Sequence, residues 1–282
     1  MRDFTITAYK SLLTSLKDAG YPFVTFSEYL RNKPERAIML RHDVDDRKLH
    51  SLEFARIQHE MGITGTYYFR MVPESFDEDV IREIHQMGHE IGYHYEDMDF
   101  AKGDPDKAIR LFEEHLEKLR KVVPVSTICM HGSPRSKYDN KDVWKHYDYK
   151  KYQIIGEPYF DIDFRKVFYL TDTGRQWDGH KVSVRDKVPV YFDLSFHTTF
   201  DITAPGLVGD FTAKEALARL LAGTGVIAQE SRPGVIVLRI GMVTAPLETV
   251  QSEVATTSSM LDEVVVTNTI PLPADCDHAR IR

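Results

Sequence analysis

The chain has 282 residues, 42% of them hydrophobic, and a formal net charge of −7. This size suits one large α/β domain or two smaller ones, and the acidic balance argues against a nucleic-acid-binding surface. The two cysteines, Cys129 and Cys276, are too few for a disulfide framework or a zinc-type cysteine cluster. No apolar stretch is long enough to span a bilayer, and residues 1–10 lack the pattern of a signal peptide. A cytoplasmic protein is therefore expected.

Apolar periodicity and glycine stops predict alternating helices and strands through about residue 131. An opening helix is predicted to be capped by Thr7 and to end at Gly20. The strands that follow are expected at 37–45, 64–70, 90–94 and 126–131, and the helices between them at 49–61, 79–87 and 104–122. This alternation favours parallel strands joined by right-handed crossovers.

The most informative segment is 41–46, where charged residues directly follow the apolar run 37–40. Side chains alternate along a strand, so Arg41, Asp43 and Asp45 are predicted to point to one side. Two carboxylates this close repel each other unless a cation or a proton separates them. A solvated acidic turn would have the same composition, but metal-ligating residue types recur at later strand ends, in His94 and His131.

In a barrel of parallel strands, active-site residues gather at the C-terminal ends of the strands. Two carboxylates and two imidazoles at such ends suit zinc or a similar divalent ion. A site of this kind can polarise a carbonyl and activate a water, while a carboxylate off the metal accepts the proton. Arg70 ends the intervening strand and is expected to orient Asp43, to bind substrate, or to form a plain salt bridge.

Three motifs together resemble the polysaccharide deacetylase family, of the nodulation type, over about residues 5–202. They are Arg41-His42-Asp43-Val44-Asp45, Gly88-His89-Glu90-Ile91-Gly92-Tyr93-His94 and His131-Gly132-Ser133-Pro134. The resemblance implies a distorted (β/α) barrel and a metal-dependent deacetylase that acts on a carbohydrate. By position in the motifs, Asp43 would be the general base, and Asp45 and His94 would be metal ligands.

The sequence departs from that family in two ways. The second metal histidine of the family would fall on Met98, so His131 is expected to take its place, with His89 and Asp97 as weaker candidates. The final His-Pro motif, which supplies the general acid in the family, has no counterpart near residue 202, so the barrel is expected to be incomplete. Trp177, in a polar loop, is predicted to bind substrate.

The pattern changes after about residue 202. A capping box at 212–215, a helix face and a hairpin around 226–239 resemble the second half of the signalling domain of TonB-dependent receptors. A Thr/Ser-rich linker follows, and 261–267 resembles a TonB box, an extended segment that a partner protein captures by strand addition. The two resemblances together suggest a gene fusion or an assembly error near 200–205.

The predicted organisation is therefore an incomplete deacetylase-like barrel over 1–202, a small α+β unit over 203–240, and a linker, TonB-box-like segment and flexible tail over 241–282. The predicted function is removal of an acetyl group from an amino sugar of a polysaccharide or its precursor, with no nucleic-acid partner. The alternative is a non-catalytic fusion whose C-terminal part binds partner proteins.

Overall fold

The structure is a computed structural model that describes residues 3–133, 136–172, 177, 188–189, 226–232, 235–240 and 266–268. The chain divides into two compact units, Met1–Ile202 and Thr203–Arg282. The helices of the first unit are α1 Ile6–Asp18, α2 Phe26–Asn32, α3 Lys48–Glu60, α4 Glu78–Gln86, α5 Asp97–Phe100, α6 Pro105–Arg120 and α7 Pro158–Asp161, with 3-10 turns at Asn140–Lys145 and Tyr149–Tyr152. Its strands are β1 Arg41–Val44, β2 Thr66–Phe69, β3 Glu90–Tyr95 and β4 Ile128–Met130.

The four strands form one parallel sheet in the order β1-β2-β3-β4, curled like half of a barrel. Helices α3, α4 and α6 make the crossovers, which confirms the mixed α/β class and the strand–helix alternation. Single parallel bridges lengthen the sheet beyond both outer strands, Phe23 with Ile38 before β1 and Thr127 with Gly156 beside β4. The edge of β4 is therefore partly covered by the chain around Gly156.

The outer face of the sheet carries the core. Its side chains alternate with those of the inner face and pack under α3, α4 and α6. They are Val44, Tyr67, Phe69, Ile91, Tyr93, Tyr95, Ile128 and Met130. The apolar stripe of α6, predicted from its spacing, meets this face through residues such as Phe112, which is fully buried.

The inner face of the sheet carries mainly polar and titratable side chains. The strand register brings its members into rows across the sheet: Arg41, Asp43, Thr66, Tyr68, Glu90, Gly92, His94, Thr127 and Cys129. The Tyr68 ring lies directly over Gly92, where an added Cβ would come within 2.2 Å of a ring carbon. Only glycine leaves room for that ring, which accounts for one glycine of the 88–94 motif.

Several boundaries correct the sequence prediction. Helix α1 begins at Ile6 and is capped by the side chain of Thr5, not of Thr7. Helix α2 was not predicted, although Thr25 and Glu28 form a capping box that announces it. Strand β3 runs one residue further than expected, to Tyr95, so His94 lies within the strand and not at its end.

The second unit contains the predicted hairpin. Strands β5 Val226–Arg232 and β6 Val235–Ile240 pair antiparallel. Strand β7 Val266–Asn268 pairs parallel with β6 and overlaps the TonB-box-like segment 261–267. The predicted helix after the capping box at 212–215 and the linker after 240 lie outside the described residues.

The longest helix described, α6, has 16 residues and several charged side chains. Among the helices of the described ranges, none is long and apolar enough to cross a membrane.

Candidate metal centre

Three of the predicted ligands meet at the C-terminal edge of the parallel sheet. Asp45 follows β1, His94 lies near the end of β3, and His131 follows β4. The Oδ1 atom of Asp45 is 2.9 Å from His131 Nδ1 and 3.3 Å from His94 Nε2. The two imidazole nitrogens are 3.3 Å apart. His131 therefore lies close enough to Asp45 and His94 for the three residues to hold one ion.

This triangle fits one small divalent ion. Two ligand atoms that each lie about 2.1 Å from a tetrahedral ion stand roughly 3.4 Å apart. The separations of 3.3 Å match that span, and the shorter one is a hydrogen bond between His131 and Asp45. Two nitrogens and one carboxylate oxygen form a donor set that zinc and similar ions accept. Among the described residues, Asp45, His94 and His131 form one of two groups close enough to hold an ion.

The electrostatics show a cluster that favours positive charge at its centre. Burial alone would raise the pKa of Asp45, but the hydrogen bonds from His131 and His94 outweigh it and hold that pKa far below its usual range. Burial alone would lower the pKa of His94, but the carboxylates of Asp43 and Asp45 outweigh it and raise that pKa. A divalent cation would satisfy the same carboxylates.

Hydrogen bonds fix the His94 imidazole and the backbone of His131. His94 Nδ1 is 2.9 Å from the carbonyl oxygen of Cys129, so Nδ1 carries the proton and Nε2 is left for a ligand. His131 N donates to the Tyr95 carbonyl, and Asn140 Nδ2 donates to the His131 carbonyl at 2.7 Å. Such outer contacts orient metal-ligating side chains.

Asp43 lies beside the triangle. Its Oδ2 atom is 4.0 Å from His94 Nε2 and 3.1 Å from Arg41 Nη2. Arg41 donates to the Tyr169 hydroxyl at 2.8 Å and lies over the rings of Tyr159 and Tyr169. Asp43 therefore pairs with Arg41, two residues away on the same strand, whereas the predicted partner was Arg70.

Arg70 supports the backbone that carries Asp45. Its guanidinium makes two hydrogen bonds to the buried carboxylate of Glu96, at 2.7 and 2.8 Å. Its Nη1 atom also donates to the Asp45 carbonyl at 3.0 Å. Ser75 accepts from Arg70 N and donates to the carbonyl of Val44. Of the three roles considered for Arg70, the salt bridge is the one observed, with a partner that the sequence did not suggest.

The remaining predicted site residues lie elsewhere or are otherwise engaged. The Trp177 ring is 5.3 Å from the ring of Phe4, just before α1, and its substrate role stays a prediction. His89 accepts from Gly65 N through Nδ1 and contacts the Ala55 carbonyl through Nε2. Asp97 accepts hydrogen bonds from Tyr93 and His115 on the outer side of the sheet.

The structure adds a candidate ligand that the sequence analysis missed. Cys129 lies on the inner face of β4, paired with His94 in register. One ligand atom from each of Asp43, His94 and Cys129 lies within 4.8 Å of the others. The signal was available, because Cys129 stands two residues before His131 and alternation places both on one side of the strand.

Comparisons of this chain with models of known protein families, with curated proteins and with solved structures find no match.

Proposed function

We propose that residues 1–202 form a metal-dependent hydrolase that removes an acetyl group from an amino sugar. One observation carries the proposal: a carboxylate and two imidazoles converge within 3.3 Å at the C-terminal edge of a parallel sheet, with a second carboxylate beside them. Asp45, His94 and His131 would hold the ion, and zinc is the proposed metal because it accepts this donor set. The motif resemblance supplies the reaction class.

Each residue then has a definite task. A divalent ion at this position supplies Lewis acidity to an acetyl carbonyl and to water. Asp43 accepts the proton of the attacking water. Its Oδ2 atom lies 4.0 Å from His94 Nε2, which places this carboxylate beside the proposed metal position. Arg41 orients the Asp43 carboxylate through the 3.1 Å contact.

The leaving nitrogen also needs a proton. We assign to Asp43 also the return of the proton that it accepted. We therefore expect slow turnover, because a single group serves both steps. The rings of Tyr159 and Tyr169, beside Arg41 and Asp43, favour a carbohydrate substrate, because aromatic faces present apolar surface to sugar rings.

The first test is the metal content of the purified full chain. We expect about one divalent ion per chain, as in a single three-ligand site, and its loss in Asp45→Ala, His94→Ala and His131→Ala. His85→Ala is the matched control, because His85 is exposed on α4 and should leave the metal content unchanged. Well-folded protein without metal would overturn the hydrolase. If the ion is present, release of acetate from N-acetylated amino-sugar oligomers tests the reaction, and Asp43→Asn should abolish it with the metal retained.

A second candidate function concerns residues 203–282. Strand β7 overlaps the segment 261–267 and adds to β6 in parallel, which is the pairing that a captured segment makes with a partner sheet. A partner would have to replace β6 as the neighbour of that segment. Binding of a labelled 261–267 peptide to a TonB-type periplasmic protein, with and without competing full chain, would test this function.

A further inference from the structure

We propose that this centre holds a second ligand set, one layer deeper in the half-barrel, that takes thiophilic ions such as Cd²⁺. The set is Asp43, His94 and Cys129, here called the inner set, as opposed to the outer set Asp45, His94 and His131. Its atoms lie within 4.8 Å of one another, close enough to close around one ion. The binding claim stands on this geometry alone, and its effect on catalysis rests on the proposed function.

The inner set is built into the sheet. His94 and Cys129 are register partners on β3 and β4, and their side chains are almost wholly buried. The carbonyl of Cys129 holds the His94 ring by its Nδ1 atom, so the residue that offers sulfur also orients the imidazole. Asp43 completes the set from β1 and is partly exposed, which leaves an approach for an ion.

The two sets exclude each other. Because His94 Nδ1 is engaged by a carbonyl, Nε2 is the ring nitrogen available to either set, and one nitrogen binds one ion. The structure therefore predicts one ion per chain in the outer or the inner position, never one in each.

Ligand softness decides between them. Thiolate favours soft ions, whereas carboxylate and imidazole suit zinc and harder ions. On binding, the Cys129 thiol loses its proton to solvent and a sulfur–metal bond forms, so the set gains a second negative charge beside Asp43. That charge offsets the repulsion from Arg41, which lies 3.1 Å from Asp43. An ion that bonds weakly to sulfur lacks this compensation and stays in the outer set.

Occupation of the inner set would inhibit the proposed hydrolase. The residue assigned as general base, Asp43, becomes a ligand and can no longer accept a proton. Cd²⁺ should therefore inhibit by capturing the base and not only by displacing zinc.

The experiment uses the full chain with Cys276→Ser, so that Cys129 is the only thiol. Cd²⁺ is titrated into metal-free protein, and the sulfur-to-cadmium charge-transfer absorption in the ultraviolet is recorded. We expect the band to saturate at one Cd²⁺ per chain and to persist in His131→Ala, which breaks only the outer set. It should vanish in Cys129→Ser and in Cys129→Ala, with folding checked by circular dichroism.

The outcomes separate the claims. Absence of the band in the Cys276→Ser protein, or a band that requires His131, would overturn the inner set. Two ions bound at once would overturn the shared His94. If the protein hydrolyses acetylated sugars, loss of Cys129 should raise the Cd²⁺ concentration for half-inhibition at least about 10-fold, as expected for loss of the one soft ligand. If it does not hydrolyse them, the absorption result still decides the binding site.

Discussion

The inner face of the β1–β4 sheet has a hydrogen-bonded carboxylate at each end, and the partners of the two carboxylates differ. At the N-terminal end, Glu90 accepts hydrogen bonds from the hydroxyls of Thr66 and Thr127 and from the backbone N–H of Ser27, at the start of α2. At the C-terminal end, Asp45 is approached by the imidazoles of His94 and His131. One end is closed by a helix, and the other leaves Asp45 half-exposed.

The partners of the carboxylate separate a structural polar cluster from a reactive one. Hydroxyl and amide donors satisfy the Glu90 carboxylate, and none of them is a good ligand for zinc. Imidazoles satisfy Asp45, and each of them can exchange its proton for a metal. Both carboxylates have hydrogen-bonding partners. The chemistry of the hydrogen-bonding partners and the access to solvent distinguish a structural cluster from a metal-binding site.

The largest loss of stability is expected at Gly92, which lies between the two ends of the inner face. A Cβ at position 92 would come within 2.2 Å of the Tyr68 ring, which is fully buried and whose hydroxyl lies 3.3 Å from that of Thr127. Gly92→Ala should lower the free energy of unfolding by about 3 kcal/mol, at the upper end for overpacking. It should also weaken metal binding, since His94 is two residues away on β3. Urea unfolding and a metal titration measure the two effects.

The cause is checked by a double-mutant cycle. If the clash with the ring is responsible, Gly92→Ala should cost much less in a Tyr68→Leu background than in the parent. Equal costs in the two backgrounds would show that the Tyr68 ring is not what excludes a side chain at position 92.

Glu157 is a fully buried carboxylate, and its donors are of the same kinds as those of Glu90, a hydroxyl (that of Tyr95) and backbone amides. It is fully buried beside β4 and accepts from the backbone N–H groups of Met130 and Tyr159. Burial outweighs these hydrogen bonds and raises its pKa from the ordinary value of 4.5 to about 7. A folded-state pKa above the unfolded one gives stability that is present below the unfolded pKa and is lost as pH rises through the folded pKa.

The free energy of unfolding should therefore fall by about 3 kcal/mol between about pH 4.5 and pH 7 because of Glu157 alone. Gln is a neutral analogue of the protonated acid, so Glu157→Gln should lack this part of the slope. Urea unfolding of both proteins at half-unit pH intervals isolates the difference. Parallel stability curves for the two proteins would refute the raised pKa.

Glu90→Gln tests the closed end. The amide nitrogen of Gln cannot accept a hydrogen bond, so either Thr127 or the pair of Thr66 and Ser27 loses its acceptor. We expect a loss of about 2 kcal/mol in unfolding free energy, the range for a buried donor left unsatisfied. Metal affinity should stay unchanged, because the Glu90 cluster lies at the opposite end of the strands from the proposed metal ligands.

Asp45→Asn is the reciprocal variant at the open end. It should remove the metal at little cost to the stability of the metal-free protein, since Asp45 is half-exposed. If Glu90→Gln weakened metal binding as much as Asp45→Asn does, the two ends would not be distinct.

The contrast between the two ends marks how far the sequence could lead. Alternation along a single strand correctly grouped Asp43 with Asp45, because that pattern is local. His131 was reachable because parallel strands end at one edge. The pairing of Glu90 with α2 was not, since it joins residues 63 positions apart, and neither was Arg70 with Glu96, 26 apart. A local sequence pattern does not predict which distant donor forms a hydrogen bond with a given carboxylate.

The smallest effect is expected at Arg70, which supports the open end from outside. Arg70→Met removes the donor to the Asp45 carbonyl and the bidentate partner of Glu96. Metal affinity should fall about 10-fold, the lower end for residues that orient ligands, because the backbone before Asp46 is no longer fixed. Isothermal titration with Zn²⁺ measures the change.

Arg56→Met is the matched control. Arg56 also makes two hydrogen bonds to one glutamate, Glu83, but on the exposed surface between α3 and α4. Exposed pairs contribute about 0–1 kcal/mol and this one is remote from the ligands in the fold, so Zn²⁺ affinity should not change. An equal loss in both variants would mean that lost positive charge, rather than the fixed Asp45 backbone, weakens binding. A loss confined to Arg70→Met would show that the open end depends on an ion pair that carries no ligand itself.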